Sequence, residues 1–202
     1  TMMVHLALDD LPAWPEPALR RFAYVHVAPS LDVMALAYAQ AAAGLLPAEP
    51  VIVVGQPTAV DPGRAPEGKH VLWLQVRMAP AEISGDAAGK IAARGWDEAK
   101  DAFAERAISI VERYAPGLRE RIIGRAVFGP LDLERENANL VGGDQICGSH
   151  HLAQNFLFRP AAGFADWRTP VKDLHLVGAA TWPGAGVGAG SGYMLARQLA
   201  GG

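Results

Sequence analysis

Residues Leu174–Ala200 read LHLVGAATWPGAGVGAGSGYMLARQLA. The stretch opens on a short apolar run, Leu174, His175, Leu176 and Val177. It then passes Gly178, Gly184, Gly186, Gly188, Gly190 and Gly192, and closes on a helix-forming segment, Tyr193 to Leu199. Strand, glycine-rich turn and helix, in that order, set an anion or cofactor against a helix N-terminus. The unpaired amides there point outward and the helix dipole favours negative charge. A tight glycine turn that merely packs a helix on a sheet uses the same residues. The spacing departs from G-x-G-x-x-G, because Gly184 and Gly186 are followed by Ala189. The chain also ends before the acidic residue that would bind a ribose about 20 positions later. The stretch therefore reads as a strand and helix that complete a dinucleotide-binding domain from its far end, not as the opening unit of one.

Working outward, the 202 residues are 50% hydrophobic and 19% charged, which marks a globular chain. A net charge of -3 gives no general attraction to nucleic acid or to an anionic membrane. No apolar run reaches the roughly 18 to 20 residues of a membrane span. The single cysteine, Cys147, excludes an internal disulfide and suits a cytoplasmic location. Its neighbours Gly148 and Ser149 do not activate a thiol, so it reads as inert, with a thiolate pair to His150 or His151 as the alternative. The N-terminus, Thr1-Met2-Met3-Val4-His5, has no basic signal-peptide start. It begins inside an expected strand, which suggests sequence upstream.

Between the termini, strands are expected at Val4–Leu8, Tyr24–Ala28, Val51–Gly55, His70–Met78 and Arg121–Phe128. In His70–Met78 both faces carry large apolar groups, so this is expected to be a central strand. Ser30 caps a helix whose buried face is expected to be Leu31, Met34, Ala35, Tyr38, Ala42 and Leu45. Asp97 caps a second helix, Glu98–Tyr114, with Phe103, Ala107, Ile110, Val111 and Tyr114 inward. Its Lys100, Asp101, Glu105, Arg106 and Glu112 favour water. Leu131–Arg135 reads as a helical turn. The fold class is α+β. It comprises a mixed sheet with helices on one side, plus the closing strand and helix. Residues 1–136 form one region and 137–202 the other.

The segments VGGD (141–144), Arg159-Pro160, Thr169-Pro170, Leu174–Gly178 and Thr181-Trp182-Pro183-Gly184-Ala185-Gly186-Val187, with the last helix, keep sensible order and spacing. Over Gly142–Ala200 the chain resembles the C-terminal portion of phytoene-desaturase-like FAD-dependent oxidoreductases, within the wider amine-oxidase group. Before Gly142 the likeness is topological. The resemblance implies FAD as cofactor. It places Gly178 and Ala179 near the pyrophosphate and ribitol, and Gly186, Val187 and Gly188 near the flavin ring. It makes Val4–Phe128 the substrate-binding region, with an apolar or amine-bearing small molecule as substrate and dehydrogenation or desaturation as the reaction. No catalytic acid or base is assigned, since the cofactor carries the chemistry.

Two departures stand out. Ala185 takes the place of a central glycine, and the family's N-terminal G-x-G-x-x-G unit and ribose-binding acid are absent from these residues. An N-terminal FAD-binding segment, from the same gene or another chain, is thus an expected partner, and the 202 residues alone are expected to be inactive. A binding domain that keeps the fold without flavin is the alternative. Acyl hydrolysis, a third reading, needs Ser191 in contact with His150 or His151. Adjacent histidines without an E-x-x-H or C-x-x-C companion do not indicate a metal site. Arg159 reads as a phosphate clamp or a partner of Asp166. Asp144 is an N-cap or a pocket carboxylate, and Trp182 stacks near the flavin or packs.

Overall fold

The computed structural model describes residues 1–149, 151–186 and 189–201. Its contacts divide into two units, Thr1–Gly143 and Asp144–Gly202. In the first unit the strands are β1 (Met2–Leu8), β2 (Tyr24–Val27), β3 (Leu45–Leu46), β4 (Ile52–Gly55), β5 (His70–Val76), β6 (Gly85–Asp86) and β7 (Ile122–Phe128). The helices are α1 (Leu31–Ala42), α2 (Trp96–Tyr114) and α3 (Pro130–Glu136). Among the described residues, a five-stranded sheet runs β2-β4-β5-β1-β7 with every neighbouring pair antiparallel. A small parallel pair, β3 with β6, stands apart. The expected α+β class is the one found.

Alternation builds the sheet's two faces. Met2, Val4, Leu6 and Leu8 of β1 and Leu72, Leu74 and Val76 of β5 point to one side and are fully buried. There they join Trp96, Phe103, Ala107, Ile108 and Val111 of α2 in one core. Alanines at 99, 104 and 107 let the helix backbone come close to the strands. The opposite face carries Met3, His5, Val71, Trp73, Tyr24 and Phe128, in register across the strands. Trp73 lies flat across β4, since a Cβ on Gly55 would sit 2.0 Å from the indole Cε2. Tyr24 meets Trp73 with ring centroids 5.4 Å apart, and His5 meets Phe128 edge-on at 5.7 Å.

Three local expectations change. Helix α1 buries Ala37 and Ala41, whereas Leu31, at 78% exposed, and Tyr38 face outward. So alanine, not the larger side chains, forms its inner face. Helix α2 starts at Trp96 with Gly95 as its N-cap, and Asp97 instead holds Arg135 through two hydrogen bonds of 2.7 and 2.9 Å. Arg106 does not face water. It donates to both oxygens of Asp86 at 2.7 Å and to the Pro47 carbonyl at 2.8 Å. Burial pushes the Asp86 carboxyl up, but that guanidinium and the backbone N–H groups of Lys90, Ile91 and Ala88 outweigh it and hold the group far below the usual carboxylate range.

Among its described residues the second unit is built of short turns, two of them 3-10 (Leu152–Gln154 and Phe156–Phe158), and one α-helix, α4 (Gly190–Leu199). The expected strand at 174–177 reduces to a single antiparallel bridge between His175 and Arg168. Around that bridge Leu176 N–H donates to the Trp167 carbonyl, and Thr169 N–H to the Leu174 carbonyl. A ladder needs a neighbour along its full length, and among the described residues only 167–169 provides one. Among the described residues no helix is long and apolar enough to cross a membrane.

Candidate functional site

Gly178 begins the turn on which the candidate site rests. Its φ of 119° is one that residues with a side chain rarely adopt, and nothing lies within 4 Å of where a Cβ would be. The Gly178 carbonyl accepts from Thr181 N–H at 3.1 Å and Thr181 Oγ1 at 3.0 Å, so the turn closes on itself. Ser191, in the first turn of α4, accepts from Gly178 N–H at 2.8 Å through its hydroxyl oxygen. The Ala179 carbonyl is taken by Arg159. With these groups drawn inward, the N–H groups of Ala179 and Ala180 have no acceptor among the described residues. Backbone N–H groups without an acceptor are what an anionic or carbonyl-bearing ligand needs.

Of the five residues assigned to cofactor binding, Gly178, Ala179 and Gly186 are described. Val187 and Gly188 lie outside the described residues, as does His150. Gly186 has a φ of 89° and open space where a Cβ would stand. Pro160, Thr169, Pro170, Leu176 and Thr181, drawn from four of the ordered motifs, line one apolar cavity of about 250 Å³ with Phe164 and Arg168. The motifs are thus neighbours in space as well as in order.

The remaining candidates resolve as follows. Arg159 does not pair with Asp166. Asp166 instead binds Arg168, whose guanidinium, with burial as the opposing influence, holds the carboxyl below its usual range. Arg159 is 1% exposed and bonds backbone carbonyls only. Asp144 accepts from the N–H groups of Ile146 and Gly148 and so shapes the turn that contains Cys147. Trp182 packs on Phe156, ring centroids 4.6 Å apart, while its carbonyl accepts from Trp167 Nε1 at 2.8 Å. Ser191 Oγ bonds only Gly178 among the described residues, leaving the hydrolase reading without a nucleophile–base pair. No group of three metal-ligating side chains occurs among the described residues.

Sequence reasoning missed Arg159 as a hub. The signal available was an arginine in an otherwise apolar, low-charge segment, FLFRPAAGF. It also missed the aromatic row on the open face of the sheet. The register that joins Tyr24, Trp73 and His5 is a property of strand order, which no single strand reveals.

No protein-family model matches the chain. It is 36% identical over 168 residues to the pyridine nucleotide-disulfide oxidoreductase domain-containing protein 2 of Rattus norvegicus, covering 81% of this chain and 28% of that protein. It is 31% identical over 133 residues to a lycopene-forming phytoene desaturase of Pseudescherichia vulneris, covering 65% of this chain and 24% of that one. A limonene dehydrogenase component of Castellaniella defragrans is 26% identical over 148 residues, covering 71% and 25% respectively. The chain therefore spans 24 to 28% of the length of these relatives. With residues of the ordered Arg-Pro, Thr-Pro and glycine-turn motifs lining one cavity, these likenesses place the chain in the phytoene-desaturase-like group of FAD-dependent oxidoreductases.

Proposed function

We propose that the chain is the C-terminal part of an enzyme that dehydrogenates or desaturates an apolar or amine-bearing small molecule by hydride transfer to FAD. Residues 137–202 are the closing piece of the FAD-binding domain and residues 1–136 the substrate-binding region. The observation that carries this reading is the turn at 178–181, where the Gly178, Ala179 and Thr181 carbonyls are engaged while the Ala179 and Ala180 N–H groups have no acceptor among the described residues. Gly178 and Ala179 would hold the pyrophosphate and ribitol, and Gly186, Val187 and Gly188 the flavin ring. When bound, the flavin supplies a two-electron acceptor for the hydride of a substrate C–H bond. The chain's own contribution at the ring would be the positive end of the α4 dipole, which favours the negative charge that the reduced ring gains.

The open face of the sheet in residues 1–136 supports an apolar substrate. Tyr24, Trp73, His5 and Phe128 carry rings on that face, with Asp61 and Arg64 beside Tyr24 and Trp73. Two of the relatives are named for limonene and phytoene, both hydrocarbons, which agrees with that surface. The missing partner is an N-terminal segment that binds the ADP half of FAD, in the same gene or another chain. A domain that keeps the fold without flavin is the competing reading.

Absorbance decides between them. Protein purified with its N-terminal segment is expected to be yellow, with a flavin band at about 450 nm that bleaches anaerobically when substrate is added. A preparation that stays colourless after incubation with FAD overturns the proposal.

A further inference from the structure

Arg159 is the largest fully buried side chain of the molecule, at 1% exposed. It has no carboxylate partner among the described residues. Its donors go to four backbone carbonyls instead. Nη2 donates to Ala179 at 2.7 Å and to Cys147 at 3.0 Å; Nη1 donates to Ser149 at 2.8 Å and Gln154 at 3.4 Å; Nε donates to Ala179 at 3.3 Å. A guanidinium has five N–H groups in a fixed plane, and all of the bonds it can donate are made here. Burying a cation is costly unless every donor is satisfied. A plain leucine would fill such a site at lower cost, so the charge and the fork need a reason.

We propose that Arg159 is the positioning residue of the cofactor turn. It holds the Ala179 carbonyl, and in that trans peptide the Ala180 N–H points the opposite way; the Ala179 N–H belongs to the neighbouring plane, whose Gly178 carbonyl Thr181 holds. By gripping Cys147, Ser149 and Gln154 with the same plane, it ties loop 147–154 to turn 178–181, so the two segments order or loosen as one. Its uncompensated positive charge also favours an anion at the turn. This rests on the reading of 178–181 as the FAD-binding turn. A lysine cannot replace it, because one ammonium group cannot reach carbonyls spread around a plane.

The test uses the purified protein with its flavin and the variants Arg159→Lys and Arg159→Ala. Hydrogen exchange, followed segment by segment, is expected to quicken at 147–154 and 178–181 together while α4 keeps its protection. The flavin dissociation constant is expected to rise roughly ten- to a hundredfold in Arg159→Ala. Millimolar guanidinium ion, which refits the vacated space, is expected to recover part of that loss. Where the alanine variant does not fold, the lysine variant carries the test through the same two readouts. The proposal is overturned if only one segment loosens, if exchange rises evenly over residues 144–199, or if Arg159→Lys matches the parent in both readouts. If the parent takes up no flavin yet both segments still loosen together, the clamp is supported and only the cofactor reading fails.

Discussion

Asp86 and Arg106 show how much one residue pair can organise. The Asp86 carboxylate is 1% exposed and accepts from Arg106 and three backbone N–H groups, which shapes the whole loop after β6. Asp86→Asn leaves a largely buried guanidinium without its counter-charge, and is expected to cost about 3–5 kcal/mol in urea unfolding. The pH dependence has a definite sign. The folded group titrates below the ordinary value of 3.8, so the pair contributes fully above that value. As pH falls below about 4 the unfolded chain takes up the proton first, and stability drops. Unfolding followed between about pH 5 and about pH 2 is expected to show a steeper decline in the parent than in Asp86→Asn. Gly55 makes a second case. An alanine there collides with the Trp73 indole, so Gly55→Ala is expected to destabilise by about 1–3 kcal/mol. Adding Trp73→Ala is expected to cancel much of that cost in a double-mutant cycle. Neither pair was legible in the sequence. Arg106 reads as one more charge on a solvated helix face, because its partner is 20 positions away, at the end of the two-residue strand β6. Arg159 invited pairing with Asp166 only because Asp166 is near in sequence, and Arg168 is nearer still to that carboxylate.

Elements were more readable than contacts. The strands around Val4, Val25, Val53, Leu74 and Val127 and the long helix through Phe103 all form, since each carries a clear period and a polar or proline-rich break at its ends. Phe103→Ala removes a ring with no exposed surface, and is expected to cost about 3–5 kcal/mol by thermal or urea unfolding. The start of α1 was also legible. Ser30 Oγ accepts from Val33 N–H at 3.2 Å, so Ser30→Ala is expected to cost about 1 kcal/mol and to fray the first turn by circular dichroism. Its inner face was not legible. In LDVMALAYAQAA almost every direction around the helix carries an apolar residue, so periodicity does not select a side. The segment 174–177 has strand composition but finds one bridge. Composition states a preference for extension, whereas a ladder depends on what lies alongside.

At the scale of the molecule the two units differ in kind. Thr1–Gly143 buries the sheet and α2 in one apolar core. In Asp144–Gly202 the buried apolar side chains among the described residues are Trp167 and Leu195, while Phe156, Leu157, Val171, Leu174 and Tyr193 stay exposed. Residues 1–143 alone are expected to unfold in one cooperative urea transition, whereas residues 144–202 alone are expected to lack one, as burial of apolar surface is what offsets chain entropy. The glycine turn was readable because φ requirements are local. The hub behind it was not, because Arg159 joins two segments, 147–154 and 178–181, that are apart in the chain. The sheet order has a consequence for synthesis. The edge strand β7 completes the flank of β1, yet it lies more than a hundred residues later. At about 5–20 residues per second, a ribosome leaves Met2–Leu8 without that neighbour for several seconds or longer. During that interval a sticky ribbon is on offer to any passing chaperone or to a sister nascent chain.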